Sequence, residues 1–378
     1  AKRRGHGEGC IRERVDGRWE ALVSLPNGKR KSFFGKTRKE ALDKLRAALR
    51  DLDAGLDIAA GTQTVGDFLD RWLADVVEPS VRPSTHRGYE SVIRCHLKPA
   101  FGHVRLTKLT PQHVQNLLND QSKAGLAPRS VQLTRATLRR ALSYAVKWSL
   151  VPRNVATLVE PPRTIRTQVH PLSAEQARHL IEATKDHRPG PVIHLAIASG
   201  LRQGELLGLG WDDVDLAGGS LTVRRSLQRM NGTPRLVEPK TGLSRRTVNL
   251  PASAAAMLRA HQDRERFERQ AAGDAWERGP ALVGLVFTNS TGAPLHCTSV
   301  THTFHDLLEG AGLPRQRFHD LRHCCASLML ASGEHPRVVM ETLGHSQISL
   351  TMNTYSHVMP AAQRDAADRL DALLTATS

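Results

Sequence analysis

Three stretches decide how this chain reads: His319-Asp320-Leu321-Arg322-His323, Leu343-Gly344-His345-Ser346 and Thr354-Tyr355-Ser356-His357. On a helix, residues three and four apart are neighbours. His319, Arg322 and His323 then share one face, and Leu321, Cys325 and Leu328 share the opposite one, where they can enter a core. The spacing predicts a helix that turns a cation and two imidazoles outward, followed by a Gly-His turn and a lone tyrosine. Tyr355 stands among Asn353, Thr354 and Ser356, a poor setting for a core aromatic. Each piece alone has an ordinary reading, as a solvated arginine or a hydrogen-bonded histidine. Their joint spacing asks for support from the rest of the chain.

That support lies upstream. Gly200-Leu201-Arg202-Gln203-Gly204-Glu205 places glycines where the backbone must turn between two helices, with Arg202 and Glu205 one turn apart. An ion pair at a helix start would explain those two equally well. Residues 214–250 are strand-like at Ser220–Val223, Leu236–Glu238 and Arg246–Leu250, with Lys240-Thr241-Gly242 at the turn between the second and third. From residue 169 onward the only other lysine is Lys185, in a stretch otherwise using arginine. A position that keeps lysine suggests a need for an amine able to release a proton. Tyr355 stands out in the same way: of 3 tyrosines, Tyr89 and Tyr144 fall in an earlier helical region. Helices are expected at 174 onward after Ser173, over 192–199, 252–270, 298–310, 319–332, 336–343 and 347–352, with a short strand at Val286-Phe287. An amphipathic helix (Ala362, Ala366, Leu370, Leu373, Leu374) is expected in the tail.

Working outward to the first half, charge becomes the signal. The 378 residues carry a formal net charge of +16, which points to a polyanionic partner, most simply nucleic acid. Lys and Arg outnumber Asp and Glu roughly two to one up to about residue 168, and nearly cancel beyond it, as expected if the first half grips phosphates. After a basic, glycine-rich arm, residues 10–34 alternate, with hairpin signals at Asp16-Gly17 and Asn27-Gly28. The pattern predicts a three-stranded meander, then a helix to about Leu52 opened by the capping box Thr37-Arg38-Lys39-Glu40. Arg12, Arg14, Arg18, Lys29, Arg30 and Lys31 would ride on this sheet into a DNA groove, or else be solvated charges on a small cap. Helices are expected near 65–77, 83–97, 111–122 and 128–148, with Pro83, Pro111 and Pro128 in first turns. Arg87, Arg94, Arg135 and Arg139 belong to this basic bundle, suited to phosphate contacts. The five scattered cysteines match no metal knuckle and suggest reduced thiols; with no transmembrane-length run or signal-like start, a cytoplasmic protein is expected.

With these residues assembled, the chain resembles a tyrosine recombinase of the phage integrase family. Gly-Leu-Arg202-x-Gly-Glu205 resembles the family's first box; His319-x-x-Arg322-His323, Leu-Gly-His345 and Tyr355 resemble its second; Lys240 fits its β-hairpin lysine. The resemblance implies a multidomain, mainly α protein with small β-sheets. Residues 1–60 would form an arm-type DNA-binding domain, 65–160 a helical, SAM-like core-binding domain, and 170–378 an α+β catalytic domain whose C-terminal helix contacts a neighbouring protomer. It implies that Tyr355 attacks a DNA phosphodiester to form a 3′-phosphotyrosyl bond. Arg202 and Arg322 would stabilise the transition state, Lys240 protonate the leaving oxygen, His319 assist proton transfer and His345 donate a hydrogen bond, with Glu205 and His323 in support. No metal and no ATP would be required. The expected partners are double-stranded DNA at core-type and arm-type sites, three further copies of the chain, and accessory proteins that bend DNA or set direction, all in the bacterial cytoplasm. Three rivals remain at this point: a zinc hydrolase using His319 and His323 at i, i+4, a type IB topoisomerase, and a non-catalytic DNA-binding regulator.

Overall fold

The computed structural model describes residues 10–25, 28, 30–53, 55, 62–163, 170–230, 232–238, 245–276, 284–344, 371, 374 and 375. The chain divides into two compact units, Ala1–Arg166 and Thr167–Ser378.

The first unit holds two separate apolar cores. One belongs to the expected meander: β1 (Cys10–Glu13), β2 (Trp19–Ser24) and β3 (Arg30–Gly35), antiparallel in that order. Gly17 at φ +74 and Gly28 at φ +78 take the left-handed backbone that tight hairpins need. Alternation along β2 points Ala21 and Val23 inward, where they meet Ala41 and Leu45 of α1 (Arg38–Asp53). The α1 start is capped from both sides: Glu40 N–H donates to Thr37 Oγ1 at 3.2 Å, and Lys36 N–H to Glu40 Oε2 at 2.8 Å.

The second core is the helical bundle. Helix α2 (Val65–Trp72) passes through a π-helical turn, Leu73–Val77, into α3 (Glu78–Ser80). Helix α4 (Pro83–Val92) does the same through Ile93–Leu97 into α5 (Lys98–Phe101). Both wide turns end one residue before the dipeptides Glu78-Pro79 and Lys98-Pro99. A proline inside a helix lacks its N–H and clashes with the carbonyl four residues back; the π turn reassigns that hydrogen bond and keeps the helix running. The bundle is completed by α6 (Pro111–Lys123) and α7 (Pro128–Lys147), whose Val131, Leu138, Ala141, Leu142 and Ala145 pack inward.

In the second unit, α8 (Ala174–Thr184) opens on a Ser173–Gln176 capping box. Helix α9 (Gly190–Ser199) is buried nearly all round and is followed by the short α10 (Gln203–Leu207). Two small sheets follow: β4 (Val214–Asp215), β5 (Ser220–Val223) and β8 (Arg246–Asn249) in one, β6 (Ser226–Met230) and β7 (Thr233–Val237) in the other. The expected turn at Lys240-Thr241-Gly242 lies outside the described residues, and the strands on either side of it belong to different sheets. β7 pairs with β6, while β8 returns to pair with β5, which buries Val248 opposite Leu221. Val286 and Phe287 are core residues without a strand of their own, flanked by isolated bridges at Leu285 and Thr288. Helices α11 (Ala252–Ala272), α12 (Cys297–Gly310), α13 (Asp320–Ala331) and α14 (Pro336–Leu343) complete the unit, with α13 packed on α9. The expected helix at 347–352 lies outside the described residues, as does most of the tail helix. Among the described residues no helix is long and apolar enough to cross a membrane.

Candidate active site

The second unit brings together the end of α9, the start of α10, β8, α13 and the end of α14. Gly200 closes α9 in the left-handed conformation, and two residues later Arg202 caps α10. Glu205, at the third position of α10, accepts the Arg202 backbone N–H at 3.0 Å and its Nη1 at 2.7 Å. A carboxylate in the first turn suits both the free N–H groups and the positive end of the helix dipole. Glu205 is 6% exposed and Arg202 41%, so the pair has one buried member and one that reaches solvent.

Glu205 has a second cation. Arg246 of β8, 7% exposed, donates from Nη2 to Glu205 Oε2 at 3.0 Å and from Nε to the Thr342 carbonyl at 2.6 Å. Burial pushes the Glu205 carboxyl up, but Arg246, the Arg202 N–H and the Arg202 charge outweigh it and hold the group below the usual carboxylate range. Arg246 was not singled out from sequence. A signal was there: Arg246 and Val248 are two apart on a strand and share a face, and Val248 is a core residue.

Arg322 corrects the outward-facing expectation. It is 3% exposed, and its guanidinium donates to the Gly200 carbonyl at 2.7 Å and to the Leu343 carbonyl at 2.5 Å. These carbonyls stand at the C-terminal ends of α9 and α14, where helix carbonyls lack partners and the dipole is negative. The approach depends on glycine. A Cβ on Gly200, at φ +61, would lie 2.5 Å from Leu343 Cδ2 and 3.2 Å from Cys325 Sγ. Helix α13 consequently buries residues around most of its circumference, including Cys324 and Cys325, while Leu328 is only half-buried.

His319 caps α13 rather than lying within it, and remains exposed. Its ring is 5.5 Å from that of His323, edge to face at 89°. Partial desolvation lowers the His319 pKa, Arg322 lowers it further, and Arg202 and Arg317 add to this against an opposing Asp320. His323 is lowered by burial and then by His319. Both imidazoles are therefore held toward the neutral form, in which a ring nitrogen can accept a proton. Asp320 is fixed beside them by Arg317, whose backbone N–H and Nη2 donate at 2.9 and 2.8 Å. No group of three or more His, Cys, Asp or Glu among the described residues is arranged to hold a metal ion, so the His319–His323 spacing finds no third ligand there.

The structure thus brings Arg202, Glu205, His319, Arg322 and His323 to one place. Lys240, His345 and Tyr355 lie outside the described residues, as does Lys29. The remaining basic residues expected to meet DNA are spread over the first unit. Arg12, Arg14, Arg18, Arg30, Arg87, Arg94 and Arg139 are exposed, while Lys31 and Arg135 are half-buried. Several are already paired: Arg12 with Glu20 at 2.8 Å, Arg18 with Asp16 at 2.7 Å, Arg94 with Glu90 at 2.9 Å.

Comparison with known proteins gives the family and the fold. The phage integrase family pattern matches residues 170–361, and the pattern for the N-terminal SAM-like domain of phage integrases matches residues 64–121. A tyrosine recombinase XerC-like protein of Caldanaerobacter subterraneus subsp. tengcongensis is 33% identical over 366 residues, covering 92% of this chain and 93% of its own. An integrase of Streptomyces ambofaciens is 33% identical over 390 residues, covering 97% and 96%. Among solved structures, the Tn1549 transposon integrase in complex with a circular intermediate DNA superposes with a TM-score of 0.70 at 19% identity, over 82% of this chain and 99% of that one. A lambda integrase dimer bound to a COC′ core site superposes with a TM-score of 0.59 at 18% identity, over 94% and 96%. A family match that takes in the whole arginine–histidine cluster, together with relatives of 33% identity along nearly the full chain, places this protein in the phage integrase family, as a tyrosine site-specific recombinase of mobile DNA elements.

Proposed function

We propose that Arg202, Lys240, His319, Arg322, His345 and Tyr355 carry strand cleavage and rejoining, with Glu205 and His323 in support. The Tyr355 hydroxyl attacks the scissile phosphorus, the bond to the 5′-oxygen breaks, and a 3′-phosphotyrosyl link forms. His319, held toward its neutral form, assists removal of the tyrosine proton, and Lys240 protonates the departing 5′-oxygen. Arg202 and Arg322 stabilise charge on the non-bridging oxygens, and His345 donates a further hydrogen bond. Rejoining reverses the sequence: a 5′-hydroxyl from the partner strand attacks the phosphotyrosyl and the phenol regains its proton. Each ester broken is exchanged for another of similar energy, first the P–O5′ bond for the phosphotyrosyl and then the reverse, so no ATP is consumed, and the two arginines supply the charge for which other nucleases use metal.

The observation that carries this reading is the half-exposed Arg202, anchored by a buried Glu205 in the same cluster as His319, whose pKa is lowered by partial burial and by Arg322. In this reading residues 1–60 bind arm-type sites, 65–160 grip the core site, and 170–378 hold the chemistry. Four copies assemble on two duplexes, as in the lambda integrase tetramer on a Holliday junction. The tail helix links protomers, and accessory proteins that bend DNA or set direction join the complex in the bacterial cytoplasm. The test is a nicked suicide substrate carrying the cognate core site, run in EDTA on a denaturing gel. A covalent protein–DNA band with wild type and none with Tyr355→Phe is the expected result. No band on a site the protein demonstrably binds would overturn the tyrosine mechanism.

A further inference from the structure

We propose that Arg246 is a positioning residue of this site, tying Glu205, and through it Arg202, to the end of α14 from which the chain runs on to His345 and Tyr355. The inference rests on the proposed roles of those residues. Arg246 spans two elements with one side chain: Nη2 holds Glu205 and Nε holds the Thr342 carbonyl, in a setting where Arg246 and Glu205 are 7% and 6% exposed. The fit at the α14 end is close. A Cβ on Gly344, at φ +66, would stand 3.0 Å from Arg246 Nη1. Arg246 also lies on the strand that follows Lys240 in sequence. One guanidinium therefore links three segments that each lead to a proposed catalytic group. A planar fork can hold a carboxylate and a carbonyl at once; an ammonium is a point donor and cannot span both in the same way.

The neighbouring residue supplies a built-in control. Arg245 is 58% exposed and pairs at 2.9 Å with Glu238. Arg245→Gln removes the same charge one position away without touching Glu205 or α14.

The experiment compares full-length wild type, Arg246→Gln, Arg246→Lys, Arg245→Gln, Glu205→Gln and the double variant Arg246→Gln/Glu205→Gln. Thermal unfolding checks folding, gel shift reads core-site affinity, and single-turnover cleavage of the nicked substrate reads the chemistry. Arg246→Gln is expected to cleave about 100-fold more slowly at saturating enzyme, with affinity within about threefold of wild type. Arg246→Lys is expected to recover only about tenfold of that loss, and Arg245→Gln to cleave as wild type does. Arg246→Gln should add little in the Glu205→Gln background, because the two act as one unit.

The pH profile separates positioning from plain packing. Among the described residues, the charged groups facing Glu205 are Arg202 at the cap of α10 and Arg246 from β8. Without Arg246 the buried carboxyl protonates at higher pH, so the acid limb of the cleavage rate should move upward. Equal cleavage by Arg246→Gln and wild type, an unmoved acid limb, or additive losses with Glu205→Gln would each overturn the inference. Should Arg246→Gln fail to fold, Arg246→Lys carries the same comparison, and wild-type cleavage by it is the overturning result. A wild type that forms no adduct would bring down the site assignment and this inference together, an outcome distinct from an adduct-forming wild type with an unimpaired Arg246 variant.

Discussion

The arginines of the helical bundle and those around Glu205 are the same residue in two different employments. In the bundle, Arg94 and Arg71 lie on the surface and pair one turn away with Glu90 and Asp75, with side chains 66% and 56% exposed. Such pairs are screened by salt and contribute little to the fold. Around Glu205, Arg322 and Arg246 are buried and tied to carbonyls at helix ends and to a carboxylate. A buried cation is tolerated only when its donors are satisfied, so these arginines are fixed in place by the fold and help to fix it. The first group can act through its number and spread, the second only through its position.

Four experiments would break or sharpen that contrast. The largest effect is expected from Arg322→Gln, which strands two helix-end carbonyls and removes the cation. Cleavage should fall about 1,000-fold or more, and denaturant unfolding should show a loss of about 3–5 kcal/mol. Gly200→Ala comes next. Its left-handed backbone and the contact with Leu343 should cost about 1–3 kcal/mol in unfolding free energy, with cleavage reduced because Arg322 and Leu343 are pushed apart.

The third test is acid sensitivity. His194, His261, His319 and His323, all in the second unit, have pKa values lowered first by burial. The unfolded chain binds protons on them more readily than the folded one, so the stability they support is present above the ordinary histidine value of about 6.5 and is lost as pH falls from there through the folded values. Unfolding midpoints of the full chain between pH 7.5 and about 5, followed by near-ultraviolet circular dichroism, should decline in that direction. A flat profile would contradict the shifts. The smallest effect on the fold should come from Arg139→Ala. Its unfolding midpoint should match wild type, while the slope of log affinity against log salt should fall by about one. If Arg139→Ala destabilised the protein as Arg322→Gln does, the two groups of arginines would not differ in kind.

Much of the fold was legible because helix and strand periods are local. The bundle helices, the meander, α9, α12 and α14 lie close to where periodicity, prolines and capping residues placed them. The candidate site was legible for a different reason: Gly200–Glu205 and His319–His323 are short motifs that resemble the boxes of a known family. Three features escaped. The π turns come from a proline conflict that periodicity does not register. The pairing of β8 with β5 instead of β7 is a contact between distant segments. Arg322 points inward, where the helical spacing predicts it outward with His319 and His323.

The sequence alone determined most helix and strand positions, the excess of positive charge in the first half, and the motifs that resemble the boxes of a tyrosine recombinase. A periodic pattern gives the angle between side chains on one helix, but not which way that helix is rotated in the protein. Only the tertiary structure decided that α13 turns Arg322 onto the ends of α9 and α14, and that β8 brings Arg246 to Glu205. Those outcomes draw on Gly200 and Gly344, both in the left-handed backbone, where an added Cβ would meet the Leu343 side chain at 2.5 Å and the Arg246 guanidinium at 3.0 Å.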